Sequence, residues 1–256
     1  MFYATDVPFK DWKATFHQHT KLVYVDEMPD LEKGTEAESD RILPLTVDNY
    51  IRFNEHPRCI FKNNLGNIDI LHNKSKFAEY MMRMFIENIP PVYYYNYDNI
   101  TYRYPSVNAL NEKMIQKPNT CFGGKNIKIV HAIPRALKNV IVSKYIEHTQ
   151  YFCGHFLVVN GTICKKLYFS ILKKNTKDIQ KGPVENYTIH DELEVGDTIF
   201  QKIFSNLSYS GFACADFIIH ENTILIFEIN PRPGGSLVRN VEQFGAFLDH
   251  LRNRVF

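Results

Sequence analysis

A chain of 256 residues, 45% hydrophobic and 23% charged, has a globular composition and is long enough for a sizeable core or for two or three small subdomains. Its formal net charge of +2 gives no electrostatic case for a nucleic-acid or membrane partner. Five cysteines, Cys59, Cys121, Cys153, Cys164 and Cys214, with no C-x-x-C pair, support neither a disulfide framework nor a zinc site and fit reduced thiols in a cytosolic setting. No apolar run approaches the ~20 residues of a membrane helix, and the N-terminus lacks a signal-peptide pattern.

In chain order, KLVYVDEMP (21–29) reads as a short strand and turn, and RILPLTVDNYIRF (41–53) as a strand running into a helix. SKFAEYMMRMFIEN (75–88) carries Phe77, Met81, Met84 and Phe85 at helical spacing, and Ile89-Pro90-Pro91 ends it, since proline removes a backbone donor. The aromatic run VYYYNY (92–97) and the alternation in NIKIVHAI (126–133) predict strands. IVSKYI (141–146) and HFLVVNGTICKKLYFSIL (155–172) are further strands, the latter folded at Asn160-Gly161 into a tight hairpin. The polar, turn-rich stretch 173–188 is a loop. DELEVGDTIFQKIFSNL (191–207) fits a helix with Val195, Ile199 and Phe204 among its apolar positions, weakened by Gly196. FACADFII (212–219) and TILIFEI (223–229) flank His220-Glu221-Asn222 as a second hairpin, and residues 242–256 close the chain as an amphipathic helix. This mixture of hairpins and helices points to an α+β fold rather than a doubly wound parallel sheet.

In the hairpin 212–229, residues of like parity on each strand share a face. Asp216 sits inside the first strand, Glu228 near the end of the second, and Asn230 points the same way as Glu228. Two carboxylates and an amide supply the hard oxygens that magnesium prefers, and Arg232 could reach an anionic oxygen of the same substrate. Taken alone, D…E-x-N-x-R also reads as solvated carboxylates at strand ends. Asp216, between Ala215 and Phe217 in an apolar run, resists that reading, because a buried unpaired carboxylate is costly. QKPNTCFGGKNIKIV (116–130) sets Lys117 before Gly123-Gly124 and a strand. Glycines let backbone N–H groups approach phosphates, and Lys117 would add a point charge; a glycine-containing hairpin with solvated lysines explains the stretch equally well. The spacings of a Walker A loop and of a Rossmann fingerprint are both absent. Lys74 and Lys76, just before a helix, read by themselves as a solvated helix start, and 141–150 reads only as a strand and a turn.

Together and in this order, these pieces resemble the ATP-grasp superfamily, in particular the carboxylate–amine ligases related to carbamoyl-phosphate synthase and D-alanine–D-alanine ligase. HNKSKF (72–77) resembles that family's D-K helix start, and ENIPPVYYY (87–95) the G-I-P-x-P that follows the helix. QKPNTCFGG resembles the K-P-x-x-G-x-G-G phosphate loop, IVSKYIE the strand whose backbone holds adenine, and GFACADF with FEINPRPGGS the metal-binding hairpin. The resemblance implies an α+β ATP-grasp fold, with two α+β subdomains (73–146 and 147–256) clamping ATP, preceded by a shortened α/β pre-grasp region (1–72). It implies ATP with Mg2+ or Mn2+ as cofactors, and Asp216, Glu228 and Asn230 as metal ligands. Lys74 (alternatively Lys76), Lys117, Gly123 and Gly124 would hold phosphates, with Tyr145, Ile146 and Gln150 around the base and ribose. Arg232 would act in catalysis.

The implied reaction joins a small-molecule carboxylate to an amine through an acyl phosphate, in a cytoplasmic protein with no nucleic-acid or membrane partner; a homodimer is compatible. Ser143, Gln150 and Cys214 stand where many relatives carry a glutamate, an acid and an arginine, and these departures bear on nucleotide and acceptor preference. Two other readings stay open: an ATP-binding regulatory or scaffold module without ligation, and the ATP-binding subunit of a carboxylase or carbamoyl-phosphate-type complex.

Overall fold

The computed structural model of the chain describes residues 2–4, 12, 15, 16, 18, 22–24, 41–104, 112–121, 125–133, 137–173 and 187–255. Gly123, Gly124 and most of the loop at 173–188 therefore lie outside the described residues. The N-terminal part builds a parallel three-stranded sheet in the order β2-β1-β3, from β1 (Phe2–Ala4), β2 (Leu22–Tyr24) and β3 (Arg41–Ile42). Helix α1 (Val47–Phe53) follows, its first turn capped by Thr46, whose hydroxyl accepts from the Asn49 amide at 3.1 Å.

Helices α2 (Leu65–His72) and α3 (Lys74–Arg83) meet at Asn73, which ends one and caps the other. Its side-chain oxygen accepts from the amides of Ser75 and Lys76 at 3.0 and 3.2 Å, which makes Lys74 the first helical residue of α3. The sequence reading missed α2, whose eight residues are too few to show a clear periodicity. It also ran α3 too far, to residue 88. The helix ends in a Schellman arrangement, with Phe85 N–H donating to Met82 O at 3.1 Å and Ile86 N–H to Met81 O at 2.9 Å. Phe85 takes the left-handed position at φ +52 and is 92% exposed, so it is no part of the predicted apolar face.

Two antiparallel five-stranded sheets follow. The first has the order β5-β4-β8-β6-β7, from β4 (Val92–Tyr97), β5 (Ile100–Arg103), β6 (Met114–Pro118), β7 (Lys128–Val130) and β8 (Val140–Lys144). The second has the order β11-β10-β9-β12-β13, from β9 (Gln150–Val159), β10 (Thr162–Leu172), β11 (Thr188–His190), β12 (Gly211–His220) and β13 (Thr223–Asn230). Both predicted hairpin turns form, with positive φ at Asn160 and Gly161 and at Glu221 and Asn222, the backbone that matches strand twist. The helix expected over 191–207 shortens to α4 (Thr198–Asn206), because Gly196 at φ +73 falls outside helical geometry. Helices α5 (Gly235–Arg239) and α6 (Val241–Val255) complete the chain.

The largest core lies on the second sheet, where Phe156, Phe200 and Phe204 cluster with ring centroids 4.8 and 5.4 Å from Phe156. The same core takes in Phe16 and α6 through Phe244, 5.7 Å from Phe16 and 5.9 Å from Phe212. Helix α3 packs on the first sheet through Ala78 and Ile141. A cleft opens between the two sheets.

Candidate functional site

The register of β9, β12 and β13 explains why the acidic residues meet. Cys153, Asp216 and Glu228 stand opposite one another across the three strands, and His155, Cys214 and Asn230 form the next row. A β-bulge on β13, between the pairs Asp216–Glu228 and Phe217–Ile226, leaves Phe227 as the extra residue. Successive strand residues normally face opposite ways, and a bulge re-aims one of them; here Phe227 and Glu228 both line the cleft.

Lys74 enters from the start of α3, only 4% exposed, with its Nζ 2.8 Å from Glu228 Oε2. The amide of Asn230 donates to Glu228 Oε1 at 3.1 Å. Burial alone would push the Glu228 carboxyl up, but the Lys74 and Lys117 ammonium groups and these hydrogen bonds hold it at about 2. Asp216 goes the other way. Burial, then the nearby Cys214 and Glu228, push its carboxyl well above the ordinary range, against hydrogen bonds from Cys153 and Tyr151; the Cys153 thiol donates at 3.1 Å. A buried acid of this kind is stabilised as a carboxylate by a bound cation. The donor set fits a divalent metal: Glu228 and Asp216 offer carboxylate oxygens, and Asn230 keeps its carbonyl oxygen while its NH2 engages Glu228.

Lys117 reaches in from β6, its Nζ 4.6 Å from the centroid of Phe227. Its ammonium is disfavoured by burial and by Lys74, and favoured by Glu228 and Asp216, with a net lowering of its pKa. Lys76 instead pairs with Asp69 at 2.5 Å and Asp98 at 3.3 Å, so Lys74 is the lysine in the site. Tyr145 and Ile146 line the cleft beyond β8, and Tyr145 N–H donates to Lys113 O at 3.0 Å. Gln150, opposite Leu172 at the start of β9, is not among the residues lining the cleft; its neighbours His148 and Tyr151 are.

Arg232 leaves the end of β13, where its N–H donates to Asn230 O at 2.8 Å and its Nη1 to Pro233 O at 3.2 Å. It follows by two residues Asn230, the β13 member of the His155–Cys214–Asn230 row. The turn after it presses on that row. A Cβ on Gly234 would come within 2.4 Å of His155 Cε1 and 2.5 Å of Cys214 Sγ, so only glycine fits. His155 Nε2 lies 2.9 Å from Ser236 Oγ and holds the start of α5 in place.

Sequence reasoning missed His148, Tyr151, Phe227 and Cys153. Tyr151 and Phe227 rings stack at 6.4 Å, with His148 tilted on Phe227 at 5.7 Å. The pleat of β9 would have revealed Cys153 and Tyr151 had that strand been started at Gln150 rather than at His155.

Two antiparallel sheets meet over a cleft in an α+β protein, with lysines from one side facing carboxylates from the other. The family model for the ATP-grasp domain matches residues 71–236, and the chain belongs to that family. It is 28% identical over 142 residues to a D-alanine–D-alanine ligase of Sulfurimonas denitrificans, an alignment that covers 49% of this chain and 40% of that relative. The chain thus spans less than half the length of the curated relative it matches. In fold it is similar to a D-alanine–D-alanine ligase from Bacillus anthracis, with TM-score 0.63, 14% identity, and 99% of this chain and 96% of that one covered. It is also similar to a phosphoribosylamine–glycine ligase from Thermotoga maritima, with TM-score 0.61, 11% identity, and 98% and 75% covered.

Proposed function

We propose that this chain is an ATP- and magnesium-dependent ligase that joins a carboxylate to an amine through an acyl phosphate. The observation that carries the reading is the convergence of Asp216, Glu228 and Asn230 with Lys74 and Lys117 in one cleft. The ligase names of the relatives support it. Segment 1–72 would serve as the pre-grasp region, with 73–146 and 147–256 as the two halves of the clamp.

Asp216, Glu228 and Asn230 would hold magnesium, which when bound supplies positive charge to the triphosphate. Lys74 and Lys117 bind the phosphates, and the backbone beyond β8, with Tyr145 and Ile146, receives the base. Phe227, which lines the same cleft, would give it an apolar wall. Because phosphoryl transfer asks the protein for positioning and charge stabilisation, no side chain need become a covalent nucleophile. The substrate carboxylate oxygen attacks the γ-phosphorus and ADP leaves. The amine then attacks the acyl carbon, and phosphate leaves while the nitrogen gives up a proton as the amide forms. Arg232 stabilises charge on the transferred phosphoryl oxygens and on the tetrahedral centre, and the Pro233–Ser236 turn, fixed by His155, faces the substrates.

The test is phosphate release from ATP in the presence of pooled carboxylates and amines, with Asp216→Asn as the control. Release that depends on a carboxylate–amine pair and vanishes in the control supports the ligase. Tight nucleotide binding with no release under any pool replaces it with a nucleotide-binding module that does not ligate.

A further inference from the structure

We infer that Lys74 is a built-in counter-ion that occupies the cation position on Glu228 until a nucleotide draws it away, so that metal and nucleotide enter the site together and the metal alone binds weakly. This rests on the metal-site reading above and adds to it an order of events.

The argument starts from what Glu228 has left to give. One of its carboxylate oxygens is 2.8 Å from Lys74 Nζ, and the other accepts from Asn230 Nδ2 at 3.1 Å. Each oxygen already has one partner, and one of the partners is itself a cation. A divalent ion must sit about 2.0–2.1 Å from its oxygen ligands. It therefore replaces the ammonium on Glu228 or binds next to an unscreened like charge.

Lys74 cannot simply swing into solvent. It is 4% exposed, and its backbone is fixed on both sides. The Asn73 cap sets the helix start, accepting from Ser75 and Lys76, and Lys74 N–H donates to Asn119 O at 2.9 Å. Only the side chain can re-aim, and a buried ammonium needs a new anion when it leaves Glu228. A second cation, Lys117, already shares the field of Glu228 and Asp216. The described residues offer no spare carboxylate to take Lys74 over: the other acid on this face, Asp216, is engaged by Cys153 and Tyr151.

A nucleotide phosphate is the anion that fits. Its oxygens can accept from Lys74 and Lys117 while Glu228 passes to the metal. Each ligand thereby supplies what the other displaces. The coupling between the two sites is then reciprocal and falls in the ordinary range for linked binding.

The test titrates Mn2+, read by its free-ion magnetic resonance signal, into nucleotide-free wild-type, Lys74→Gln and Lys74→Arg proteins. Glutamine keeps an amide donor for Glu228 and removes the charge; arginine keeps the charge. Lys74→Gln should bind Mn2+ about tenfold more tightly than wild type, and Mn2+ should raise its melting temperature more than it raises that of wild type. Lys74→Arg should bind Mn2+ as weakly as wild type. The imido analogue of ATP should bind Lys74→Gln more weakly than wild type. A Lys74→Gln protein that melts cooperatively yet binds Mn2+ no better than wild type overturns the inference and leaves the metal site intact. Wild-type protein that takes up no Mn2+ even with the ATP analogue overturns the metal site itself.

Discussion

Lys74 and Lys117 face the same carboxylate with opposite consequences. Lys74 is desolvated, yet its contact with Glu228 and the nearby Cys121 more than restore its charge, and its pKa rises. Lys117 has no carboxylate at ion-pair distance among the described residues, stands over the ring of Phe227, and its pKa falls under burial and the push of Lys74. A cation held in that condition gains most when an anion arrives. Lys117→Ala should therefore lower affinity for the imido analogue of ATP by about ten- to a hundredfold, the worth of ~1.5–3 kcal/mol for a charge-assisted hydrogen bond. The melting temperature should stay within a few degrees of wild type, because the change also removes a like-charge repulsion. Calorimetric titration and a melting curve on one preparation check both; unchanged affinity would remove Lys117 from the phosphate site.

Phe85 closes α3 from the left-handed region, which costs a residue with a Cβ roughly 1–2 kcal/mol, and its ring is almost fully exposed. Glycine recovers that strain but gives back part of it in unfolded-state freedom. Phe85→Gly is thus expected to stabilise the protein by ~0.5–1 kcal/mol, seen as a higher urea midpoint at unchanged slope; a lower midpoint would mean that the ring contributes packing. At the start of α4, Asp197 pairs with Lys166 at 2.8 Å and accepts from Tyr168.

Burial pushes the Asp197 carboxyl up, but the Lys166 and Tyr168 hydrogen bonds win and its pKa is lowered. A depressed acid contributes stability that is complete above its unfolded pKa, about 3.9, and is lost as pH falls through the lower folded value. Asp197→Asn should lower the urea midpoint at pH 7 and shrink the drop between about pH 5 and pH 3; an equal drop in both proteins would remove Asp197 from the acid response. These elements also mark the limit of what the sequence says. The shared face of Glu228 and Asn230 was legible because strand alternation has a fixed period of two; Asp216 joins them only through the bulge, since a regular register from the His220–Thr223 pair would set Asp216 opposite residue 227. The bulge that turns Phe227 into the cleft was not legible, since an extra residue has no signature in composition. The choice between Lys74 and Lys76 was equally invisible, because it hangs on the Asn73 cap and on two acids, Asp69 and Asp98, that folding brings to Lys76.

Among the described residues, a small set of direct bonds joins the two antiparallel sheets near the site. Ile226 N–H donates to Asn88 O at 2.7 Å, and Asn88 Nδ2 to Ile224 O at 3.0 Å, tying the segment before β4 to β13. The Lys74–Glu228 pair is a second tie, and it is the one that ligands would rearrange. A nucleotide with its metal would contact β6 and the segment after β8 on one side and β12 and β13 on the other, so binding would add cross-links between the two sides of the cleft. A ligand that binds only the folded state stabilises it by about 2.7 kcal/mol at a hundredfold excess over its Kd. For a chain of this size each kcal/mol moves the melting temperature by roughly 2–4 °C. The imido analogue of ATP with Mg2+ should therefore raise the melting temperature by roughly 5–10 °C, and should slow amide exchange in β6 and β8 together with β12 and β13. Protection confined to one sheet would show that the ligand sits on a single half and does not bridge the cleft. No shift at saturating concentrations would remove nucleotide binding, and with it the ligase, from this chain.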